Sequence, residues 1–186
     1  MASDYKAPRL VLPVGPRDHS QGASSARIVL VEYGDYQCPY CGAAYPIVKQ
    51  IQQELASQLQ FVFRNFPITN SHPYAEWAAE IAEGAAVQGK FWELHDYLYE
   101  NQGSLGDEAF FVRYEKKVGL DTTKLQREVS EHKHLPRVKE DFTSGVRSGV
   151  NGTPTFYING VRYDGAPEFE PMVAALERAG KHPGSK

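Results

Sequence analysis

The chain has 186 residues, a length typical of one domain or of one domain that carries a large insertion. Hydrophobic residues make up 41% of it and aromatic residues 12%, which is enough for a substantial core. The formal net charge is -3 without a basic patch, which argues against nucleic acid as the main partner, and no apolar run is long enough for a membrane span.

Residues 1–27 form an N-terminal extension whose one hydrophobic stretch, residues 10–14, is interrupted by Pro13 and followed by Gly15 and Pro16. The extension has room for a short strand but lacks the apolar region of a secretory signal. We therefore expect a cytoplasmic protein, or an extracytoplasmic one if a leader has been removed. In the cytoplasm a Cys-x-x-Cys pair is usually catalytic or metal-binding, because structural disulfides are rare there.

Residues 28–71 predict a βαβ unit. Residues 28–33 are a nearly continuous apolar run, which is typical of a buried parallel strand. Apolar residues then recur at helical spacing from residue 38 to about residue 57, and residues 59–63 predict the second strand.

Residues 72–150 predict helices throughout and no strand. The expected helices begin near Pro73, Phe91, Asp107, Asp121 and Pro136. The third of them would carry Phe110, Phe111, Tyr114 and Val118 on its apolar face. We interpret this block as an inserted helical domain.

Strand signals return at residues 155–158 and 161–163, and the intervening Asn159-Gly160 predicts a hairpin. A last helix is expected from Glu168 to about residue 179. The order βαβ, helical block, ββα predicts an α/β protein with a thioredoxin fold. Its thioredoxin-like domain would comprise residues 28–71 and 151–186, with residues 72–150 inserted.

The only two cysteines, Cys38 and Cys41, stand at the first strand-to-helix junction. A disulfide that closes so short a loop stabilises a fold little, so the pair favours redox chemistry. Because a helix N-terminus stabilises a thiolate, we expect Cys38 to attack and the more buried Cys41 to resolve. Pro39 suits the first helical turn, since it has no N–H to leave unpaired. The helix terminus alone would lower a thiol pKa by roughly one unit, and a larger depression needs hydrogen bonds to the sulfur.

Glu32 lies at the end of the first predicted strand, six residues before Cys38. Its apolar neighbours suggest a buried carboxyl with a raised pKa that accepts and returns the proton of Cys41. The alternative is an acid at a strand end that points to solvent.

Thr153 and Pro154 precede the predicted hairpin. A cis Thr153–Pro154 bond would turn the Thr153 backbone towards a peptide beside the cysteines, whereas a trans proline would simply open an edge strand. Tyr36 and Tyr40 flank the cysteine turn, and we expect them to form an apolar rim that grips unfolded chains.

Three segments resemble the DsbA family of thioredoxin-fold disulfide oxidoreductases, in its compact bacterial branch. They are residues 31–41, 63–67 and 152–156, with sequences VEYGDYQCPYC, FRNFP and GTPTF. They occur in the family's order, and the resemblance covers the chain from about residue 13.

The resemblance implies that Cys38 is the exposed nucleophile, that Cys41 is its partner, that Pro154 is cis and that Glu32 is the buried acid. It also implies that the helical insertion flanks the active site. The chain departs from the family in two ways: Tyr40 stands where the best-known oxidant has histidine, and family members are typically exported.

The sequence thus predicts a monomeric thiol-disulfide oxidoreductase that acts on protein, peptide or small-molecule thiols and disulfides without a metal or an organic cofactor. Its redox partner would be glutathione, a thioredoxin-like protein or a membrane oxidase, and the direction of electron flow stays open. The alternatives are a glutaredoxin-like or glutathione transferase-like enzyme, an iron–sulfur or zinc site, and a holdase. His132 and His134 are the histidines that a zinc site would add to the cysteines, unless they lie on a solvated helix end.

Overall fold

The computed structural model describes residues 7–107, 110, 113, 114, 117 and 119–181. The strands are β1 (His19–Gly22), β2 (Ile28–Gly34), β3 (Leu59–Asn65), β4 (Thr155–Ile158) and β5 (Val161–Tyr163). The helices are α1 (Pro39–Leu55), α2 (Ala75–Val87), α3 (Phe91–Glu100), α4 (Thr122–Ser130), α5 (Leu135–Ser148) and α6 (Phe169–Lys181). Phe111 and Val118, which belong to the helix predicted after Asp107, lie outside the described residues.

These strands form one mixed sheet in the order β1-β3-β2-β4-β5. β2 and β3 run parallel on either side of the α1 crossover, and the other neighbouring strands are antiparallel. The predicted thioredoxin fold is confirmed, with five strands and six helices in the described part of the chain. β1 is a strand of the N-terminal extension that pairs with β3 at the edge of the sheet.

Successive residues of β2 face opposite sides of the sheet. Ile28 and Leu30 belong to the larger core, which the sheet shares with α1, α3 and α6. Val31 and Tyr33 belong to a smaller core on the other face. The neighbours Glu32 and Tyr33 therefore point to different faces of the sheet.

The helical block packs around α2, whose residues are mostly small and buried. Gly84 allows α4 to pack closely against α2, because a Cβ at this position would lie 2.2 Å from a Leu125 methyl carbon. Asp121 caps α4 as expected, since its carboxylate accepts a hydrogen bond from the Lys124 N–H at 2.9 Å.

Where residues 72–150 are described, they contain helices and turns but no strand. The division of the chain into an extension, a thioredoxin-like domain and an inserted domain stays a prediction. None of the helices in the described ranges combines the length and the hydrophobicity that crossing a bilayer requires.

Candidate active site

Cys38 is the N-cap residue of α1, and Pro39 occupies the first turn. The backbone at Cys38 is extended, with φ −68° and ψ 122°, and its carbonyl accepts the Gly42 N–H at 3.1 Å. The first N–H groups of a helix have no partner within the helix and favour an anion at this position. The Cys38 sulfur thus lies where a thiolate is stabilised, and both cysteines are free thiols. Cys38 is only 3% exposed, so the exposed nucleophile that the resemblance implies is wrong for this structure, in which the loop at Thr153 lies against the sulfur.

The pKa of Cys38 is lowered to about 5. The largest cause is a hydrogen bond from the Cys41 side chain; burial acts against the shift, and hydrogen bonds from Thr153 and from the backbone at Cys41 and Tyr40 add to it. This depression exceeds the roughly one unit that a helix terminus supplies. Direct hydrogen bonds to the sulfur therefore account for most of it.

Cys41 behaves in the opposite way. It is fully buried in the first turns of α1, and burial, followed by the neighbouring Cys38 and Glu32, raises its pKa well above the usual value. The backbone N–H of Asp35 lies 3.5 Å from its sulfur. At neutral pH the pair is therefore a Cys38 thiolate beside a Cys41 thiol.

Glu32 points into the protein and not to solvent, with 3% of its surface exposed. Burial, and then the charge of Cys38, raises its pKa to about 8. A carboxyl with such a pKa can take up and release a proton near neutral pH. Its charge also acts on Cys41, so the two groups are close enough to be coupled.

The Thr153–Pro154 peptide bond is cis, as the resemblance implies. When Cys38 is protonated, its thiol donates to the Thr153 carbonyl at 3.3 Å, across 115 residues of sequence. The structure therefore brings the loop before β4 and the N-terminus of α1 together at one site.

The expected tyrosine rim is wrong for Tyr36. Tyr40 is 74% exposed beside the cysteines, but Tyr36 is only 1% exposed. The Tyr36 ring packs against Phe63 and Tyr99, and its hydroxyl hydrogen-bonds His95 Nδ1 at 3.1 Å. Tyr36 is buried because α3 covers it with aromatic rings, and a contact with α3 is not visible in the sequence around the cysteines.

Asp35 stabilises the turn before the cysteines and was not predicted from the sequence. Its buried carboxylate accepts from the N–H groups of Gln37 and Ile68 and from His72 Nδ1, each at 2.8 Å. An aspartate directly after a strand is a turn signal that could have drawn attention to it. Its partners at positions 68 and 72 are long-range and left no such signal.

Gln102 is a second residue that the sequence analysis missed. Its side-chain Nε2 donates to the carbonyls of Tyr36 and Cys38, both at 2.8 Å. Gly42 leaves room for this amide, because a Cβ there would lie 2.4 Å from Gln102 Oε1. The helical block thus contacts the cysteine turn directly.

The histidines considered for zinc lie elsewhere. His132 Nδ1 hydrogen-bonds Glu80 at 2.7 Å, and His134 Nε2 hydrogen-bonds Glu128 at 3.0 Å. His134 is buried, so it does not lie on a solvated helix end. The described residues contain no group of three or more His, Cys, Asp or Glu side chains placed to hold a metal ion.

A family model described as thioredoxin matches residues 15–178. A curated relative, the Na(+)/H(+) antiporter NhaA 1 of Salinispora arenicola, is 40% identical over 171 residues; the match covers 91% of this chain and 26% of that protein. NhaA 1 of a Mycobacterium species is also 40% identical over 171 residues, with 28% of its length covered. The chain therefore spans about a quarter of the length of these relatives.

Three solved structures share the fold. A thioredoxin-like oxidoreductase from Silicibacter pomeroyi matches with TM-score 0.78 and 28% identity over 90% of this chain and 94% of its own. BdbD from Bacillus subtilis matches with TM-score 0.81 and 20% identity over 96% and 100%. α-DsbA1 from Wolbachia pipientis matches with TM-score 0.80 and 18% identity over 94% and 96%.

The comparisons contradict the expected cytoplasmic location. One further match is a periplasmic thioredoxin-like protein from Salmonella enterica, with TM-score 0.69 and 20% identity over 90% of this chain and 92% of that one. The expectation was wrong because it relied on the composition of residues 1–27 alone. The family model and the geometry at Cys38 agree, and the chain belongs to the thioredoxin family, with the fold of the DsbA-type thiol-disulfide oxidoreductases.

Proposed function

We propose that the chain exchanges disulfides with protein or peptide thiols, with Cys38 as the nucleophile and Cys41 as the resolving cysteine. One observation carries the proposal: Cys38 is an N-cap cysteine whose pKa is lowered to about 5, and the fully buried Cys41 lies in the same helical turn. A thiolate is the nucleophile in thiol–disulfide exchange, and it is also the better leaving group.

In the oxidising direction, a client thiolate attacks Cys38 Sγ of the Cys38–Cys41 disulfide. A client–Cys38 disulfide forms and Cys41 leaves as a thiolate. A second client thiolate then attacks the client sulfur and expels Cys38. The client gains a disulfide and loses two electrons, and the protein ends as the dithiol.

Glu32 would manage the proton of the buried thiol in this scheme. When Cys41 leaves as a thiolate, a protonated Glu32 can give it a proton, since the carboxyl pKa is raised to about 8. In the reverse direction the carboxylate can take that proton before Cys41 attacks. The coupling of Cys41 to Glu32 supports this role.

The loop at Thr153 and the exposed Tyr40 ring would hold the client. The Thr153 carbonyl lies 3.3 Å from the Cys38 sulfur, and Tyr40 is 74% exposed next to it. An extended peptide lying along the loop would hydrogen-bond its backbone, while the Tyr40 ring offers apolar contact.

We infer that the protein donates its disulfide. A low Cys38 pKa stabilises the dithiol form and makes Cys38 a good leaving group, and both effects favour release of the disulfide to a client. Such an oxidant is useful where disulfides persist, outside a reducing cytoplasm.

The antiporter relatives suggest a second context for the same chemistry. The chain matches about a quarter of their length, and the thioredoxin family model covers nearly all of the matched part of this chain. We propose that this segment contributes thiol exchange and not ion transport. A glutathione transferase-like role is less well supported, because it has no need of the buried Cys41.

Replacing Cys41 with serine tests the proposal. Cys41→Ser should accumulate mixed disulfides between Cys38 and client proteins, because the resolving thiol is gone, and mass spectrometry would identify the linkage. The control is the Cys38→Ser/Cys41→Ser double variant, which should trap nothing. Client protection that persists in this double variant, with no mixed disulfide in Cys41→Ser, would instead favour a holdase.

A further inference from the structure

A cleft between the start of α2 and the end of α4 is not used by the proposed exchange chemistry. Its volume is about 460 Å³, within the usual range for ligand sites. Its lining includes Pro73, Glu76, Trp77, Glu80, Val129 and His132.

One carboxylate oxygen of Glu80 lacks a hydrogen-bond partner in the part of the chain that the structure describes. Its side chain is 1% exposed, and Oε1 accepts a hydrogen bond from His132 Nδ1 at 2.7 Å. Oε2 has no hydrogen-bond partner among the described residues. Native proteins rarely leave a buried carboxylate oxygen unpaired. Because Glu80 lines the cleft, a donor in the cleft would satisfy Oε2 once the carboxylate turns towards it.

The charge of the cleft indicates which donor fits. Glu76 precedes Glu80 by four residues and lies on the same side of α2, where it adds a second carboxylate. No lysine or arginine of the described residues lines the cleft. Trp77 also lines the cleft, and a guanidinium or ammonium group can stack on such a ring while it hydrogen-bonds a carboxylate.

The cleft also lies beside the cysteine turn. Pro73, which lines it, follows His72, and His72 Nδ1 hydrogen-bonds the Asp35 carboxylate at 2.8 Å. The N–H of the next residue, Tyr74, donates to the Gln37 side chain at 2.6 Å, directly before Cys38. Hydrogen bonds on both sides of Pro73 thus connect the rim of the cleft to the residues that precede Cys38.

We propose that this cleft binds the cationic side chain, arginine or lysine, of a polypeptide whose cysteine reacts at Cys38. The proposal rests on the proposed function for the identity of the occupant. The evidence for a cation-binding site is independent of that function and consists of the cleft and the carboxylates of Glu80 and Glu76. Its two parts therefore have separate tests.

The first test measures binding without thiol chemistry. N-acetyl-arginine amide is titrated into the full chain, with tryptophan fluorescence and amide NMR shifts around Glu80 as readouts. Its neutral isostere, N-acetyl-citrulline amide, should bind about tenfold more weakly, because a charge-assisted hydrogen bond is lost. Glu80→Gln should weaken arginine amide by a similar factor, and Glu54→Gln, an exposed carboxyl change on α1, should not.

The second test measures exchange. Oxidised protein is mixed with pairs of two-cysteine peptides that differ only by arginine or citrulline at successive positions beside one cysteine. At one position the arginine peptide should be oxidised with about tenfold higher kcat/KM. This ratio should fall to about 1 in Glu80→Gln, while the rate with the citrulline peptide stays unchanged.

The outcomes separate the two proposals. If neither peptide is oxidised, the proposed function fails, and the binding titration still decides whether the cleft takes cations. Arginine amide binding without any peptide preference would overturn a polypeptide occupant in favour of a free cation. Equal binding of the arginine and citrulline amides would overturn the site. If Glu80→Gln does not fold, Glu76→Gln provides the same comparison at the partly exposed carboxyl.

Discussion

The two faces of the sheet at β2 and β3 differ in how their buried ionisable side chains are paired. On one face, Glu32 lies near Cys38 and Cys41 and forms no ion pair with any of the described residues, and burial raises its pKa to about 8. On the other face, the fully buried Arg64 donates from Nε and Nη2 to the Asp18 carboxylate at 2.9 and 3.0 Å.

Arg64 is also satisfied at its remaining donor. Its Nη1 donates to the Tyr33 hydroxyl and to the Leu12 carbonyl, both at 2.9 Å. These bonds attach the N-terminal extension to the sheet. The contrast teaches that a paired charge serves stability on one face, whereas on the other face a buried carboxyl with a raised pKa is retained where it can move a proton.

Breaking the Arg64–Asp18 ion pair should have the largest effect on stability. Arg64→Met leaves the Asp18 carboxylate buried without its partner and should lower the free energy of unfolding by about 3–5 kcal/mol. Urea denaturation would measure it. Arg147→Met, an exposed arginine on α5, is the control and should change stability by less than about 0.5 kcal/mol. An equal loss in both variants would remove the distinction between the faces.

Removing the buried Glu32 carboxyl should change stability in the opposite direction. Glu32→Gln abolishes the cost of keeping a buried carboxyl whose pKa rises from 4.5 to about 8, so the variant should be more stable than the wild type. The gain should be roughly 3 kcal/mol at pH 7 by linkage.

The sign follows from proton uptake. Below pH 4.5 the carboxyl is protonated in both folded and unfolded protein, so the two proteins should be equally stable there. As the pH rises towards 8, the unfolded chain ionises and the folded wild type does not, and the gain of the variant should grow. Denaturation curves from pH 4 to 8 would check this, and a gain independent of pH would contradict a buried, raised carboxyl.

The exposed carboxylate of Asp121 provides a reference for the stability changes expected on the two faces. Asp121 caps α4 through one hydrogen bond to the Lys124 N–H, and Asp121→Ala should cost about 1 kcal/mol. Thermal denaturation would measure it, with Asp121→Asn as the variant that keeps the cap. A loss as large as that expected for Arg64→Met would mean that burial does not decide the energetics of these carboxylates.

The features that could be predicted and those that could not differ in how far apart the interacting residues lie in the sequence. The apolar run at β2, the Asn159-Gly160 hairpin and the Asp121 cap are local signals, and each element lies within a few residues of its prediction. Cys38 and Cys41 stand out in the sequence because the motif is local as well.

What the sequence could not supply are contacts between distant segments. Tyr36 was misplaced because α3 covers it, and Gln102 was missed because its hydrogen bonds reach back to the turn at Tyr36 and Cys38. The pairing of Arg64 with Asp18 connects β3 to the extension across 46 residues, and no periodicity reports it. Such partners depend on the tertiary fold alone.

The most direct test of the account is the pH dependence of Cys38 alkylation in the reduced wild-type protein. Iodoacetamide reacts with the thiolate, and mass spectrometry would follow the modification of Cys38 separately from that of the buried Cys41. The rate should rise with a midpoint near pH 5, the lowered pKa of Cys38. A midpoint at about pH 8.5, the ordinary pKa of cysteine, would contradict a stabilised thiolate at the start of α1.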